Sequence, residues 1–224
     1  MTTDRINEFL ESIDLVLYRD KYAHIKLVEL DMPHNIRPIP LLYREYWMRR
    51  EDYPTFEKFY AIYAEELGSE LEIFRQQAMF SEETFCRGLP ARIYRTWASL
   101  LTQIQGGYAA EEIYGVGNIE MSTELDYQGV DMRITDDDNT INIQIKKETL
   151  SREVRTPWHS MKNNIPLVNL TYEVPGCGPL TRTGRNSVPF ARWNEKWQGK
   201  LMYLNNGFVI FMPEMFSRGN IIIP

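Results

Sequence analysis

Cysteine is scarce: the 224 residues hold two, Cys86 and Cys177, far apart in the chain. That excludes a disulfide framework and a cysteine-built zinc site, and it predicts a reducing cytoplasm. Long apolar runs are missing, so no segment reads as a membrane span. The opening, MTTDRINEFLESID, carries no apolar signal region, and secretion is not expected. Internal repeats and low-complexity stretches are absent too, which removes solenoids and arrays. Basic residues are outnumbered, 25 Lys and Arg against 31 Asp and Glu, for a net charge of −6. Taken whole, that balance argues against a polyanionic partner.

The distribution reverses this impression. Residues 1–140 carry 14 basic and 26 acidic side chains, whereas residues 141–200 carry 10 basic and 4 acidic ones. An acidic chain with a locally basic segment can still attract a polyanion, because the local field steers it. A composition that is 43% hydrophobic and 25% charged supports a sizeable core. One domain over 1–224 is expected, with a helical subregion at 1–87 and the remainder at 88–224.

Helical periodicity dominates the first half. Ile6, Phe9, Leu10 and Ile13 share a helical face, a short helix is expected around Leu41–Arg50, and Phe56, Phe59, Tyr60, Tyr63, Leu67, Leu71 and Phe74 form a long stripe. A second long helix is predicted from Pro90, through Ile93, Trp97, Leu100, Leu101, Ile104 and Tyr108. Gly106 and Gly107 mark either a close-packing point or a weakening of it. Beyond residue 118 the runs VDMRI, INIQI, IPLVNLTYEV and GFVIFM read as strands. Arg192, Lys196 and Lys200, with Trp193 and Trp197, read as a helix whose tryptophans are expected to be packed rather than stacked on bases. The fold class is therefore α/β (α+β): a mixed β-sheet flanked by helices, with a helical N-terminal region.

The stretch GVDMRITDDDNTINIQIKKET, 129–149, reads as a hairpin with Asp136-Asp137-Asp138-Asn139 as its loop. With Thr135 opposite Thr140, Ile134 meets Ile141, Arg133 meets Asn142 and Asp131 meets Gln144. Val130, Met132 and Ile134 then share an apolar face with Ile141, Ile143 and Ile145, set against the 90–113 helix. Asp131, Arg133, Asn142, Gln144 and Lys146 share the polar one. A carboxylate, a carboxamide and an ammonium group brought together suit phosphodiester hydrolysis. Oxygen donors from Asp131, Gln144 and the Ile145 carbonyl can hold a hard divalent cation, and Lys146 can orient the attacking water. The hairpin alone also fits an ordinary amphipathic ribbon with a solvated polar face. The triple aspartate lacks the glycine and terminal glutamate of a calcium loop, so it reads as turn chemistry.

The order helix, acidic strand, turn and Q-x-K strand resembles the PD-(D/E)xK nuclease core. More specifically, the chain resembles the TaqI restriction endonuclease family. The resemblance runs through SIDLVLYRDKYAHIKLVELDMP (12–33), GLPARIYRTWASLLTQ (88–103), ELDYQGVDMRI (124–134), IQIKKET (143–149) and NGFVIF (206–211). It implies a bacterial type II restriction endonuclease, a homodimer dependent on Mg2+. Such an enzyme cuts both strands of double-stranded DNA at a short palindrome, TCGA for the type member, leaving 5′-phosphate ends. A cognate DNA methyltransferase is then expected to protect the host. The ELDxQGxD block carries the family's two acidic positions onto Asp126 and Asp131. The QIKK block carries its lysine region onto Lys146 and Lys147. Strand parity favours Lys146 as the catalytic lysine and leaves Lys147 to contact phosphate. Gln144 stands where an acid is usual, and Asp126, Glu124, Glu111 or Glu112 could compensate, although the last two also read as a solvated helix end.

The basic segments after the lysine strand supply candidate DNA contacts. Arg152, Arg155, His159 and Lys162 suit phosphates, although His159 alone reads more readily as a structural or surface residue. Arg182, Arg185, Asn186 and Ser187 on a Gly- and Pro-rich loop suit base edges, since Arg pairs with guanine and Asn with adenine; a solvent loop or a dimer contact is the competing reading. A DNA-binding protein that does not cut, and a repair or recombination nuclease of the same fold, are the competing functions.

Overall fold

The structure is a computed structural model that describes residues 2–22, 24–25, 32–137, 139–147, 159–175, 180–181, 184–185 and 188–221. The chain divides into two compact units, Met1–Leu101 and Thr102–Pro224.

The first unit is helical. α1 (Thr2–Ser12) and α2 (Leu15–Tyr22) are followed by a 3-10 turn, His34–Ile36. Next comes α3 (Ile39–Leu42), which runs into a π-helical turn, Tyr43–Met48. The expected 54–74 helix is two: α4 (Phe56–Glu66), capped by the Thr55 hydroxyl, and α5 (Gly68–Gln77). The break falls at Leu67, whose φ of −113° leaves the helical range before the flexible Gly68. The aromatic stripes are core, as their spacing requires. Phe56 sits 5.3 Å from Trp97 and 5.6 Å from both Tyr94 and Tyr18. The indole of Trp97 donates to the Tyr46 hydroxyl, which donates to the Pro54 carbonyl, so this buried polar pair is satisfied.

The helix α6 (Glu82–Tyr114) begins eight residues before Pro90. Ser81 caps it through the Thr84 N–H, and Glu82 and Glu83 favour its positive end, so the start lies there and the proline is accommodated inside. The unit boundary falls within this helix. Among the described residues, no helix is long and apolar enough to cross a membrane.

The second unit holds a five-stranded mixed sheet of order β1-β2-β3-β5-β4. Its strands are β1 (Ile119–Glu120), β2 (Met132–Asp136), β3 (Asn139–Lys147), β4 (His159–Lys162) and β5 (Ile165–Tyr172), with α7 (Thr123–Tyr127) between β1 and β2. The pairing of β3 with β5 is parallel; the other three pairings are antiparallel. Two small ribbons follow: β6 (Leu180–Thr181) with β7 (Gly184–Arg185), and β8 (Leu201–Tyr203) with β9 (Val209–Phe211). Between them lies α8 (Phe190–Trp197). As expected, its Trp193 is packed: fully buried, with its indole donating to the Glu173 carbonyl.

Within this unit, the apolar face of the sheet meets the part of α6 that carries Gly106. A Cβ at Gly106 would stand 3.2 Å from Ile145 Cδ1 and 3.4 Å from Phe211 and Phe216, so this glycine is a close-packing point and not a weakening. Beside it, the buried Gln105 amide donates to the Phe211 carbonyl and accepts from the Phe211 N–H. One side chain thus replaces a strand partner along β9.

Candidate active site

The hairpin register is the expected one from Asp136↔Asn139 to Met132↔Ile143. Its loop is shorter than expected: Asp136 and Asn139 pair, so only two positions separate the strands, and Asp137 stands at φ 51°. A two-residue loop of this type wants a left-handed residue, and aspartate tolerates it.

At Asp131 the register slips. Its N–H donates to the Ile143 carbonyl, although Ile143 is already the partner of Met132. Two residues oppose one, which is the arrangement of a β-bulge. The expected Asp131–Gln144 pair therefore does not form. Val130 also leaves the face it was expected to share with Met132 and packs with Leu125 and Leu167. The bulge redirects the carboxylate: Asp131 Oδ2 accepts the Ile145 N–H at 2.6 Å, where a backbone carbonyl of a continued β2 would have stood.

What precedes the bulge is equally specified. The Ser122 hydroxyl accepts the Leu125 N–H and starts α7. Gly129, at φ 75°, ends it: its N–H reaches the Asp126 carbonyl, while the Val130 N–H reaches the Leu125 carbonyl. This is a Schellman closure with its usual apolar contact, here Val130 against Leu125. ELDYQGVD is thus a helical turn, a glycine stop and a bulge, with one aspartate on the helix and one at the bulge.

Asp131 is 6% exposed, and its carboxyl is pushed up from 3.8 to about 7. Burial is the main cause. The Asp126 charge adds to it, while the Ile145 N–H and the Lys146 ammonium oppose it. Asp126 and Lys146 both therefore act electrically on Asp131. Lys146 is half-buried, whereas Lys147 is exposed and paired in register with Tyr172. Gln144 lies over Gly129: its Nε2 is 3.6 Å from where a Cβ would stand. The polar face is not the solvated surface of an ordinary ribbon. Asn142 is 1% exposed; it accepts from Arg133 Nε and donates to the Lys162 carbonyl, while Arg133 pairs with Glu120 at 3.3 Å.

Glu111, expected to be solvated, is buried on α6, and Glu112 is exposed. Among the described residues, no group of three or more His, Cys, Asp or Glu side chains is poised around a metal position. The donors still fit a hard divalent cation. Asp131 Oδ1 makes no hydrogen bond among the described residues, and a buried carboxylate beside a second one gains from a positive ion. Among the candidate DNA contacts, Lys162 ends β4, half-buried. Arg152, Arg155, Arg182, Asn186 and Ser187 lie outside the described residues, as do the side chains of His159 and Arg185, although Arg185 belongs to β7.

Sequence reasoning missed Asn163, whose Nδ2 donates to Gln128 Oε1 at 2.7 Å. The Asn163-Asn164 pair between two apolar runs was a readable turn signal. It also missed α7, which Ser122 and Gly129 bracket as cap and stop.

The TaqI restriction endonuclease family matches residues 3–220. The chain is 33% identical over 222 residues to "Type II restriction enzyme TaqI" of Thermus aquaticus, covering 93% of this chain and 82% of that relative. It is 32% identical over 218 residues to "Type II restriction enzyme TthHB8I" of Thermus thermophilus, with the same coverage. No solved structure gives a significant match. With the family's description spanning nearly its whole length, this chain belongs to the TaqI restriction endonuclease family.

Proposed function

We propose that the chain is a type II restriction endonuclease, hydrolysing phosphodiester bonds of double-stranded DNA at a short palindrome, TCGA or a relative of it, and leaving 5′-phosphate ends. The observation that carries this reading is the buried Asp131 carboxyl, electrically coupled to Asp126 and Lys146, in a chain of this family. Asp131 Oδ1, Asp126, the Gln144 amide oxygen and the Ile145 carbonyl are the oxygens that would hold Mg2+. Ile145 directs its N–H toward Asp131, and a strand residue turns N–H and C=O to the same neighbour, so its carbonyl belongs to that edge. Bound there, the ion supplies positive charge to the scissile phosphate and acidifies water.

The remaining work falls to protein groups. The Ile145 N–H fixes the rotamer of Asp131. Lys146 orients the attacking water and offsets negative charge growing on the phosphate. Attack is direct, with no covalent enzyme intermediate. Lys147, Arg152, Arg155 and Lys162 grip phosphates, and Arg182, Arg185, Asn186 and Ser187 read bases. A palindrome read by one chain calls for a two-fold partner, so the enzyme acts as a homodimer. It works in the cytoplasm beside a cognate methyltransferase.

The test is plasmid cleavage in magnesium by the protein and by its Asp131→Ala and Lys146→Ala variants. Loss of at least about a hundred-fold in both is expected. Undiminished cleavage by both variants would sink the assignment. Binding without cleavage by the unchanged protein, in magnesium or manganese, would favour a DNA-binding protein.

A further inference from the structure

We propose that Asn163 is a positioning residue for the cleavage step: its amide grips Gln128 and holds the segment bearing Asp126 and Asp131 against the strand that carries Lys162. The proposal rests on the nuclease reading above and extends it from the reacting groups to what holds them.

The observations lie on both sides of one short bond. Asn163 and Asn164 form the turn between β4 and β5, both left-handed, at φ 53° and 63°. Lys162, immediately before them, is pinned through its carbonyl by the buried Asn142 amide of β3. Asn163 Nδ2 then reaches Gln128 Oε1 at 2.7 Å. Gln128 is the C-terminal cap of α7, two residues after Asp126 and three before Asp131. A second contact joins the same two pieces: Leu167 of β5 packs with Leu125 and Val130 of the carboxylate segment. The hairpin of β4 and β5 thus braces α7 by an apolar contact below and an amide pair at its tip.

This matters because α7 is five residues long. So short a helix does not hold its own geometry in water. Its Asp126, and Asp131 at the bulge just beyond it, must nevertheless stay fixed, since misplacement of a reacting group by about 1 Å can cost a hundred-fold in rate. The brace also ties the carboxylates to Lys162, a phosphate contact in this reading. A phosphate drawn to Lys162 would be transmitted through one turn residue to the catalytic segment.

The left-handed backbone at Asn163 provides a clean variant. Asn163→Gly keeps the turn, because glycine accepts this φ without strain, and removes only the amide. Gln128→Ala removes the other partner. Amide hydrogen exchange in the full-length protein reads the bracing directly, at the Gly129 and Val130 N–H groups that close α7. Single-turnover cleavage of supercoiled plasmid, with DNA affinity measured separately, reads its consequence. In either variant, exchange at these two amides should accelerate about ten-fold and cleavage should fall about ten-fold. DNA affinity should stay within about two-fold, and the double variant should be no worse than either single one. Unchanged exchange at Gly129 and Val130, or faster exchange with undiminished cleavage by a protein that cuts DNA, overturns the proposal. Faster exchange in a protein that never cuts DNA would uphold the bracing while rejecting the nuclease reading.

Discussion

Asp131→Asn should make the metal-free protein more stable while destroying its activity. The substitution keeps the shape of the side chain, and the amide oxygen can still accept the Ile145 N–H that Oδ2 now takes at 2.6 Å. What it removes is a charge in a site only 6% exposed. Burial and the neighbouring Asp126 lift the carboxyl from 3.8 to about 7. Between those values the folded chain keeps a proton that the unfolded chain has released, so stability falls as pH rises through that window and levels off above it. The full penalty is roughly 4 kcal/mol, at 1.36 kcal/mol per pH decade. The new NH2 group must find acceptors, which takes back about 1–3 kcal/mol. The variant should therefore gain about 1–3 kcal/mol at about pH 8, or roughly 2–10 °C in Tm for a chain of this size. Thermal melts in chelator between about pH 4.5 and pH 8 measure it. The advantage of the variant should grow by roughly 3 kcal/mol across that range. Added magnesium should then raise the Tm of the unsubstituted protein far more than that of the variant. A variant no more stable than its parent at about pH 8, or a difference that does not change with pH, would refute the burial account of this carboxylate.

Three further outcomes follow from the packing and the charge pattern. Gly129→Ala places a Cβ on a backbone at φ 75°, near the Gln144 amide, so it should cost about 1 kcal/mol in denaturant melts and lower cleavage more than DNA binding. Gln105→Leu strands both backbone groups of Phe211 in the core, and chemical denaturation should register a loss of about 2–4 kcal/mol. If the basic 141–200 segment meets the phosphates, as proposed, DNA affinity should fall steeply with salt; Lys162→Ala should reduce the slope of log K against log salt by about 1, and an unchanged slope would remove Lys162 from the phosphate contacts.

Periodicity carries far in this chain. The alternation of Ile141, Ile143 and Ile145 against polar neighbours set the hairpin register, since a slip of one residue would expose every isoleucine. Turn residues and helix stripes were readable for the same reason: each is a local preference. The failures lie where a second local signal was passed over or a non-local contact decides. Pro90 looked like a helix start, but the Ser81 cap and the acidic first turn carry the helix past it. Leu67 continued an apolar stripe while the backbone broke beneath it. The bulge at Asp131 left no trace in hydropathy, because it arises from the Schellman closure before it and from the Ile145 N–H that the carboxylate captures. That Asp126 and Lys146 come near enough to Asp131 to act on its charge was legible; its pairing and the way it is aimed were not. The brace from Asn163 to Gln128 joins residues 35 positions apart, and such a bond needs the fold to be seen.

Digestion of a sequenced genome with the purified protein in magnesium, followed by sequencing of the fragment ends, tests the central claim most directly. The account predicts discrete fragments whose 5′-phosphate ends all fall at one short palindrome, TCGA or a relative of it. Intact DNA, or ends scattered without a common sequence, would contradict it.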